Sequence, residues 1–259
     1  MGHVICIANQ KGGVGKTTTA VNFSTALAVA EKDSLLIDCD PLGHATSGMG
    51  IKKSRVAKTL YHGLMGDAAP EELIIKSELD FLKILPASAE LLRAESELMS
   101  RPDKEHALKN FISGLKDRYD YIVIDSPPSM SLLAVNALIA ADSLLIPLQC
   151  EYYALEGMGH LLKSTQILKN KFNPEMKIAG ILLTMFEGEE EVSRKIAEMA
   201  RFHFKDKVFK TVIPRTVQLR ESASHGKPLL LHDMRSSGAQ SYLALAGEFI
   251  GKTIGRSRS

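Results

Sequence analysis

The sequence predicts one doubly wound α/β domain, a mostly parallel sheet with helices on both faces. Three observations predict it. Short apolar runs alternate with helix-like stretches along nearly the whole chain. Most of those runs are almost continuous in Val, Ile and Leu, the pattern of parallel strands covered on both faces. Polar segments rich in Gly and Asp follow several of the runs, where such sheets bind their ligands. A chain of 259 residues with 45% hydrophobic side chains is long and apolar enough to bury one such core.

The elements follow in order. Strands are expected over Val4–Ala8, Ser34–Asp38, Leu82–Pro86, Tyr121–Asp125, Ser143–Leu148, Ala179–Thr184 and Val208–Ile213. Helices are expected over Lys16–Ala30, Ala87–Ser100, Lys104–Asp117, Leu132–Ala141, Leu155–Lys171 and Glu190–Phe204, with a last helix, Ala239–Ile250, packed against the sheet edge. No repeat or linker interrupts this order, so residues 1–254 read as one domain, followed by a polar tail at 255–259 that is expected to fray.

Composition narrows the class. Three widely spaced cysteines, Cys6, Cys39 and Cys150, argue against a disulfide framework and for a reducing compartment. The opening MGHVICIANQ lacks the pattern of a signal peptide, and no apolar run has the roughly 18–20 residues of a membrane span. A cytoplasmic protein is expected. The net charge of +2 is unevenly spread: residues 201–259 hold 11 basic and 4 acidic side chains, against 21 and 26 in the remainder. A basic end of this kind attracts polyanions, or is a solvated surface with no partner.

The strongest motif follows the first strand. Asn9-Gln10-Lys11-Gly12-Gly13-Val14-Gly15-Lys16-Thr17-Thr18 is a glycine-rich strand-to-helix turn. Its glycines can take positive φ, which turns successive N–H groups inward onto phosphate oxygens. The helix beginning near Lys16 adds its positive end to that anion site. Lys16 supplies a cation for the β- and γ-phosphates of ATP, and the Thr17 hydroxyl is placed to ligate Mg2+. The ordinary P-loop carries glycine six residues before the lysine. Here that position is Gln10, followed by a second lysine, Lys11.

Two later strand runs end in carboxylates. Asp38 and Asp40 lie two apart in an extended segment and so face the same way. A bland reading makes them turn formers before Pro41. Tyr121–Asp125 is an apolar strand ending in Asp125, placed as the second acidic element of a P-loop ATPase that holds Mg2+. No His or Cys cluster has metal-ligand spacing.

The loop with its extra Lys11 resembles the deviant phosphate loop of the ParA and MinD family of ATPases. That resemblance implies the P-loop NTPase fold, ATP and Mg2+ as ligands, and slow ATP hydrolysis. Lys11, Lys16, Asp40 and Asp125 would be the catalytic set. Lys11 would reach the partner's phosphates across an ATP-dependent homodimer, Asp40 would orient the attacking water, and Asp38 would join the Mg2+ water shell beside Thr17 and Asp125. Nucleotide contacts would run over Lys11, Gly12, Gly13, Val14, Gly15, Lys16, Thr17 and Thr18. The segment after Asp125, stiffened by Pro127 and Pro128, resembles the family's second switch.

The similarity continues to the end of the chain. Val212–Arg215, His225–Pro228 and Arg235–Ala239 are similar to segments of the small chromosomal ParA proteins called Soj. The resemblance implies that the backbone near Pro214 borders the adenine. It also implies that the ATP dimer binds non-specific DNA on the nucleoid, and that a ParB-like centromere-binding protein stimulates release. The long type with an amino-terminal DNA-binding extension is not expected, since the first strand run begins at Val4. One departure stands out. Relatives carry Asp-x-Arg after the strand ending at Phe186, with an arginine for DNA, and this chain reads Glu187-Gly188-Glu189-Glu190-Glu191. Those carboxylates repel phosphate, or they stabilise the start of the next helix through its dipole. Either DNA binding rests on Arg215, Arg220, Lys227, Arg235 and the terminal basic residues, or the cargo surface is not for DNA. Two alternatives remain: a MinD-like ATPase at a membrane surface, disfavoured by the weakly apolar, glycine-containing end Phe249–Arg256, and an ATPase that positions a protein cargo.

Overall fold

The computed structural model describes residues 2–152 and 154–256. Eight strands form one sheet in the order β3-β4-β2-β5-β1-β6-β7-β8. They are β1 (His3–Ile7), β2 (Ser34–Asp38), β3 (Ile75–Lys76), β4 (Leu82–Leu85), β5 (Tyr121–Asp125), β6 (Ser143–Gln149), β7 (Lys177–Phe186) and β8 (Val208–Pro214). All pairings are parallel except that of the short edge strand β3 with β4.

The alternation of side chains along β1 shows why the sheet is covered twice. Val4, Cys6 and Ala8 pack into one apolar cluster, whereas Ile5 and Ile7 pack into another on the opposite face. The first cluster is completed by α3 (Leu60–Met65), α5 (Leu91–Leu98), α6 (Ala107–Ile112), α7 (Leu132–Ala140), α8 (Ala154–Phe172) and α9 (Glu191–Phe204). The second is completed by α1 (Lys16–Val29), α2 (His44–Gly48), α11 (Leu229–His232) and α12 (Ser237–Arg256), which bring in Phe23, Ala45, Leu229, Tyr242 and Phe249. Burying each large side chain contributes about 1.5–3 kcal/mol, so both layers are needed to hold the sheet. The remaining short helices are α4 (Pro70–Leu73) and α10 (Val217–Ser224).

All seven expected strands form, within a few residues at their ends. β3 escaped the sequence reading because a strand of two residues has no periodicity to read. The expected helix Lys104–Asp117 is a broken element, with α6 flanked by 3-10 turns at Lys104–His106 and Ser113–Leu115. The side chain of Asn136, on α7, takes up the backbone there: its Oδ1 accepts from Leu108 N at 3.0 Å and its Nδ2 donates to Lys104 O at 2.8 Å. The expected helix from Ala87 starts only at Leu91, and Ala87 N donates to the Thr46 hydroxyl at 3.0 Å. The last helix packs on the edge strand β8 and on α1, and extends through Arg256. Residues 257–259 of the expected tail lie outside the described residues. Among the described residues, no helix is long and apolar enough to cross a membrane.

The register places the site. β1 lies between β5 and β6, with Ile7 opposite Asp125, and β2 pairs with β5 so that Asp38 also lies opposite Asp125. The glycine-rich loop and the two acidic strand ends therefore meet at the carboxyl ends of the central strands.

Candidate functional site

The loop after β1 is held by side chains that the glycine pattern does not reveal. Asn9, almost fully buried, donates through Nδ2 to Pro147 O at 2.7 Å and accepts from Lys11 N at 3.0 Å. From the other side, the Thr184 hydroxyl on β7 donates to Val14 O at 2.9 Å. Between these anchors, Gly13 and Gly15 adopt φ of 75° and 90°, a region that strains any L side chain. A Cβ added at Gly12 or Gly13 would meet no atom within 4 Å. The loop is thus uncovered at these glycines, and its main chain and the amino end of α1 are polarised for an anion.

The two lysines are placed differently. Lys16, at the first turn of α1, is 7% exposed and donates from Nζ to Lys11 O at 3.1 Å. Burial lowers its pKa, and Asp125 and Asp40 push it back up. Lys11 stands on the rim, 37% exposed, with Nζ 3.1 Å from Glu151 Oε2.

The acidic residues also divide. Asp38 is fully buried, and its carboxylate is occupied by donors of its own chain: Thr46 N and Oγ1 both reach Oδ2 at 2.7 Å, and Asp40 N reaches Oδ1 at 3.2 Å. Burial still dominates and raises its pKa to about 6. Asp38 thereby ties β2 to α2. Asp125 is equally buried, yet neither of its oxygens has a hydrogen-bond partner. Burial and the neighbouring Asp38 raise its pKa well above the usual carboxylate range, opposed by the Thr17 hydroxyl and by Lys16. Asp40 is nearly buried and accepts from Leu42 N at 2.9 Å, shaping the turn that leads to α2. The turn-forming reading of Asp40 therefore holds beside any role toward a ligand.

An orphaned buried carboxylate next to a threonine hydroxyl, a buried lysine and a main-chain cradle fits a magnesium-bound polyphosphate. Magnesium commonly takes only one or two protein ligands and keeps waters for the rest. Thr17 and Asp125 are the residues that would hold it. Among the described residues, no group of three His, Cys, Asp or Glu gathers as a metal cluster.

A cleft of about 550 Å³ opens beside the loop, lined by Gly15, Thr18, Thr184, Pro214, Arg220 and Tyr242, among others. Its mixed lining of apolar and polar side chains suits a nucleoside. Pro214, at the end of β8, is thus brought to the loop. Met185 in the same wall has a φ of 51°, a positive value uncommon for a residue with a side chain.

Comparison with known proteins decides the family. An AAA-domain family model matches residues 2–178. The chromosome partitioning protein ParA of Myxococcus xanthus is 48% identical over 96% of this chain and 88% of its own length. The sporulation initiation inhibitor protein Soj of Bacillus subtilis is also 48% identical, over 96% of this chain and 98% of its own. This chain belongs to the ParA/Soj family of chromosome-partitioning ATPases. Its fold is shared with solved P-loop structures. The crystal structure of cobyrinic acid a,c-diamide synthase from Mycobacterium smegmatis with bound ADP and magnesium superposes with a TM-score of 0.83. That pair is 32% identical, covering 95% of this chain and 93% of the other.

Within this ParA/Soj fold, two of the basic residues expected to carry DNA, Arg215 and Arg220, line the same cleft beside the loop. Arg215 is bound to the acidic segment itself, with Nε 2.5 Å from Glu187 Oε1. Arg220 borders the cleft beside the loop, Lys227 lines a neighbouring cleft with Thr17, Thr18 and His44, and Arg235 lies in the turn before α12. All four are exposed. Thr184 and Thr46 carry no sequence signal, being ordinary polar residues until the elements that face them are known. Asn9 was within reach, standing at the end of a strand immediately before the glycines.

Proposed function

We propose that this protein is an ATP-dependent DNA-segregation switch. It binds ATP with Mg2+, pairs with a second copy, holds non-specific DNA of the nucleoid in that state, and lets go on hydrolysis. The observation that carries this reading is the second lysine of the loop. Lys16 already serves the cradle from within, so Lys11, on the rim and ion-paired among the described residues with Glu151 alone, is free to serve phosphates outside its own chain. Surface ion pairs of this kind are weak, contributing about 0–1 kcal/mol, so the contact with Glu151 is readily exchanged for a phosphate.

The roles of the chain's own groups follow from their placement. The N–H groups of residues 12–18 and the amino end of α1 orient the phosphates. Lys16 stabilises charge that grows on the transferred phosphoryl group, an interaction strengthened by its exclusion from water. Bound magnesium would neutralise the β- and γ-phosphates. Asp125 and Thr17 would fix its position, while Asp38 holds the β2–α2 turn and thereby Asp40, the residue assigned to orient water. Pro214 and the cleft wall receive the base. Turnover is slow until a ParB-like protein completes the site. Support for that partner, and for DNA as cargo, comes from relatives named for chromosome partition.

Sedimentation velocity with a non-hydrolysable ATP analogue tests the reading. The expected result is a dimer with analogue and Mg2+, a monomer with ADP, and a monomer for Lys11→Ala under both conditions. DNA retention by the dimer should fall steeply with salt, as phosphate contacts require. A dimer that forms equally without nucleotide would overturn the switch, and an ATP dimer that ignores DNA at low salt would overturn the cargo.

A further inference from the structure

The opposite end of the sheet carries a second basic cleft that the nucleotide site does not use. β6, β7 and β8 run parallel, so the residues that begin β7 and β8 lie at the end away from the glycine-rich loop. There, the second half of α8, the start of β7 and the turn before β8 enclose a cleft of about 620 Å³. Lys169, Lys177 and Lys207 line it, with Gln166, Thr165 and the buried Met176. No carboxylate is among the lining residues, and none of the three lysines makes an ion pair among the described residues. Three like charges brought to one concavity repel each other, and concave low-dielectric walls strengthen their combined field.

The wall holds a second anomaly. Thr165 is 3% exposed, and its hydroxyl is buried without any hydrogen-bond partner. In a helix such a hydroxyl ordinarily bonds to a carbonyl one turn back. Left unmade, that bond is a cost the fold carries. A hydroxyl donor, a side-chain amide and three ammonium groups around one concavity are the complement of a multiply charged oxyanion.

We infer that this cleft binds a small phosphate-bearing anion, independently of the glycine-rich loop. The ligand is a di- or polyphosphate, free or as the phosphate portion of a nucleotide, held by the three lysines with Thr165 and Gln166 as neutral donors. The cleft's concave, lysine-lined form suits a compact anion better than a duplex backbone.

Inorganic pyrophosphate is the probe, titrated calorimetrically into Lys16→Ala protein that also carries Gly13→Val, so that the loop loses both its buried cation and its main-chain cradle. One equivalent per chain is expected. The combined substitution Lys169→Gln, Lys177→Gln and Lys207→Gln should abolish it, and Thr165→Val should weaken it about tenfold, as for loss of a hydrogen bond to a charged group. Thr165→Val should also raise the melting temperature of the free protein, because an unpaired buried hydroxyl is removed; that separates loss of a ligand from loss of the fold. Repeating the titration with ADP distinguishes a free polyphosphate from a nucleotide source. Absence of binding to this doubly substituted protein, or binding that survives the three glutamines, would overturn the site. Displacement of pyrophosphate by short duplex DNA would assign the cleft to a polynucleotide surface and overturn the small-anion assignment.

Discussion

The glycine-rich loop and the segment that follows β7 both face the question of how a protein meets phosphate, and they answer it with different materials. In the loop, the anion site is made of main chain. Gly13 and Gly15 fix the turn, Asn9 and Thr184 anchor it, and the helix behind it is aligned by the core. Around Phe186–Arg215, the cations are side chains, and the nearest of them, Arg215, is already bound to Glu187. A main-chain cradle is committed to its ligand by the fold. A side-chain surface is committed only by whatever its charges find, and here one of them has found a carboxylate.

The contrast can be broken first at Lys16. Lys16→Ala should lower ATP turnover by about 100-fold or more, since it removes a charge aimed at the phosphates in a site closed to water. Steady-state phosphate release with DNA and partner present measures it, and a loss below tenfold would mean that main chain alone suffices.

Asp125 sharpens the same side. Its carboxylate is buried without a partner, so Asp125→Asn should stabilise the nucleotide-free protein by about 1–3 kcal/mol in denaturant melts. The same change should erase the dependence of ATP affinity on Mg2+. Stabilisation without that erasure would make Asp125 a structural burden only.

Asp38 gives a dependence on pH. Its carboxyl ionises near 6 in the folded protein and near 3.9 when unfolded. Between those values the folded state binds more protons, so stability contributed by Asp38 is present at low pH and is lost as pH rises through about 6. Melts of the nucleotide-free protein from pH 4 to 7 should therefore show wild type losing stability relative to Asp38→Asn. A parallel pair of curves would contradict the burial argument.

The smallest effect concerns the other region. Glu187→Gln releases Arg215, and an exposed ion pair contributes about 0–1 kcal/mol, so DNA retention at low salt should rise only two- to fivefold, roughly. Arg215→Glu should reduce it. If neither moves retention, the DNA surface lies elsewhere.

The same division explains how much of the molecule could be read from its residues. Strands β1, β2, β5 and β6 are legible because their apolar runs are buried on both faces and end in residues with one obvious chemistry. The loop is legible because glycine and lysine at fixed offsets have few other uses. Residues 41–80 were not, because α2, α3, α4 and β3 are two to six residues long and too short for any period. The division of labour between Asp38 and Asp125 was not legible either. Both are aspartates ending apolar strands, and only the arrival of Thr46 from α2 occupies one and leaves the other bare. Nor could the sequence show that Glu187 closes on Arg215, since 28 residues of chain separate them.

The most direct measurement is a calorimetric titration of the purified protein with a non-hydrolysable ATP analogue, in Mg2+ and again in chelator, for wild type and Lys16→Ala. One magnesium-dependent site per chain, tight in wild type and lost in the variant, is the predicted result. Equal binding by both proteins, or none by either, would contradict a cradle of main-chain amides closed by a buried lysine.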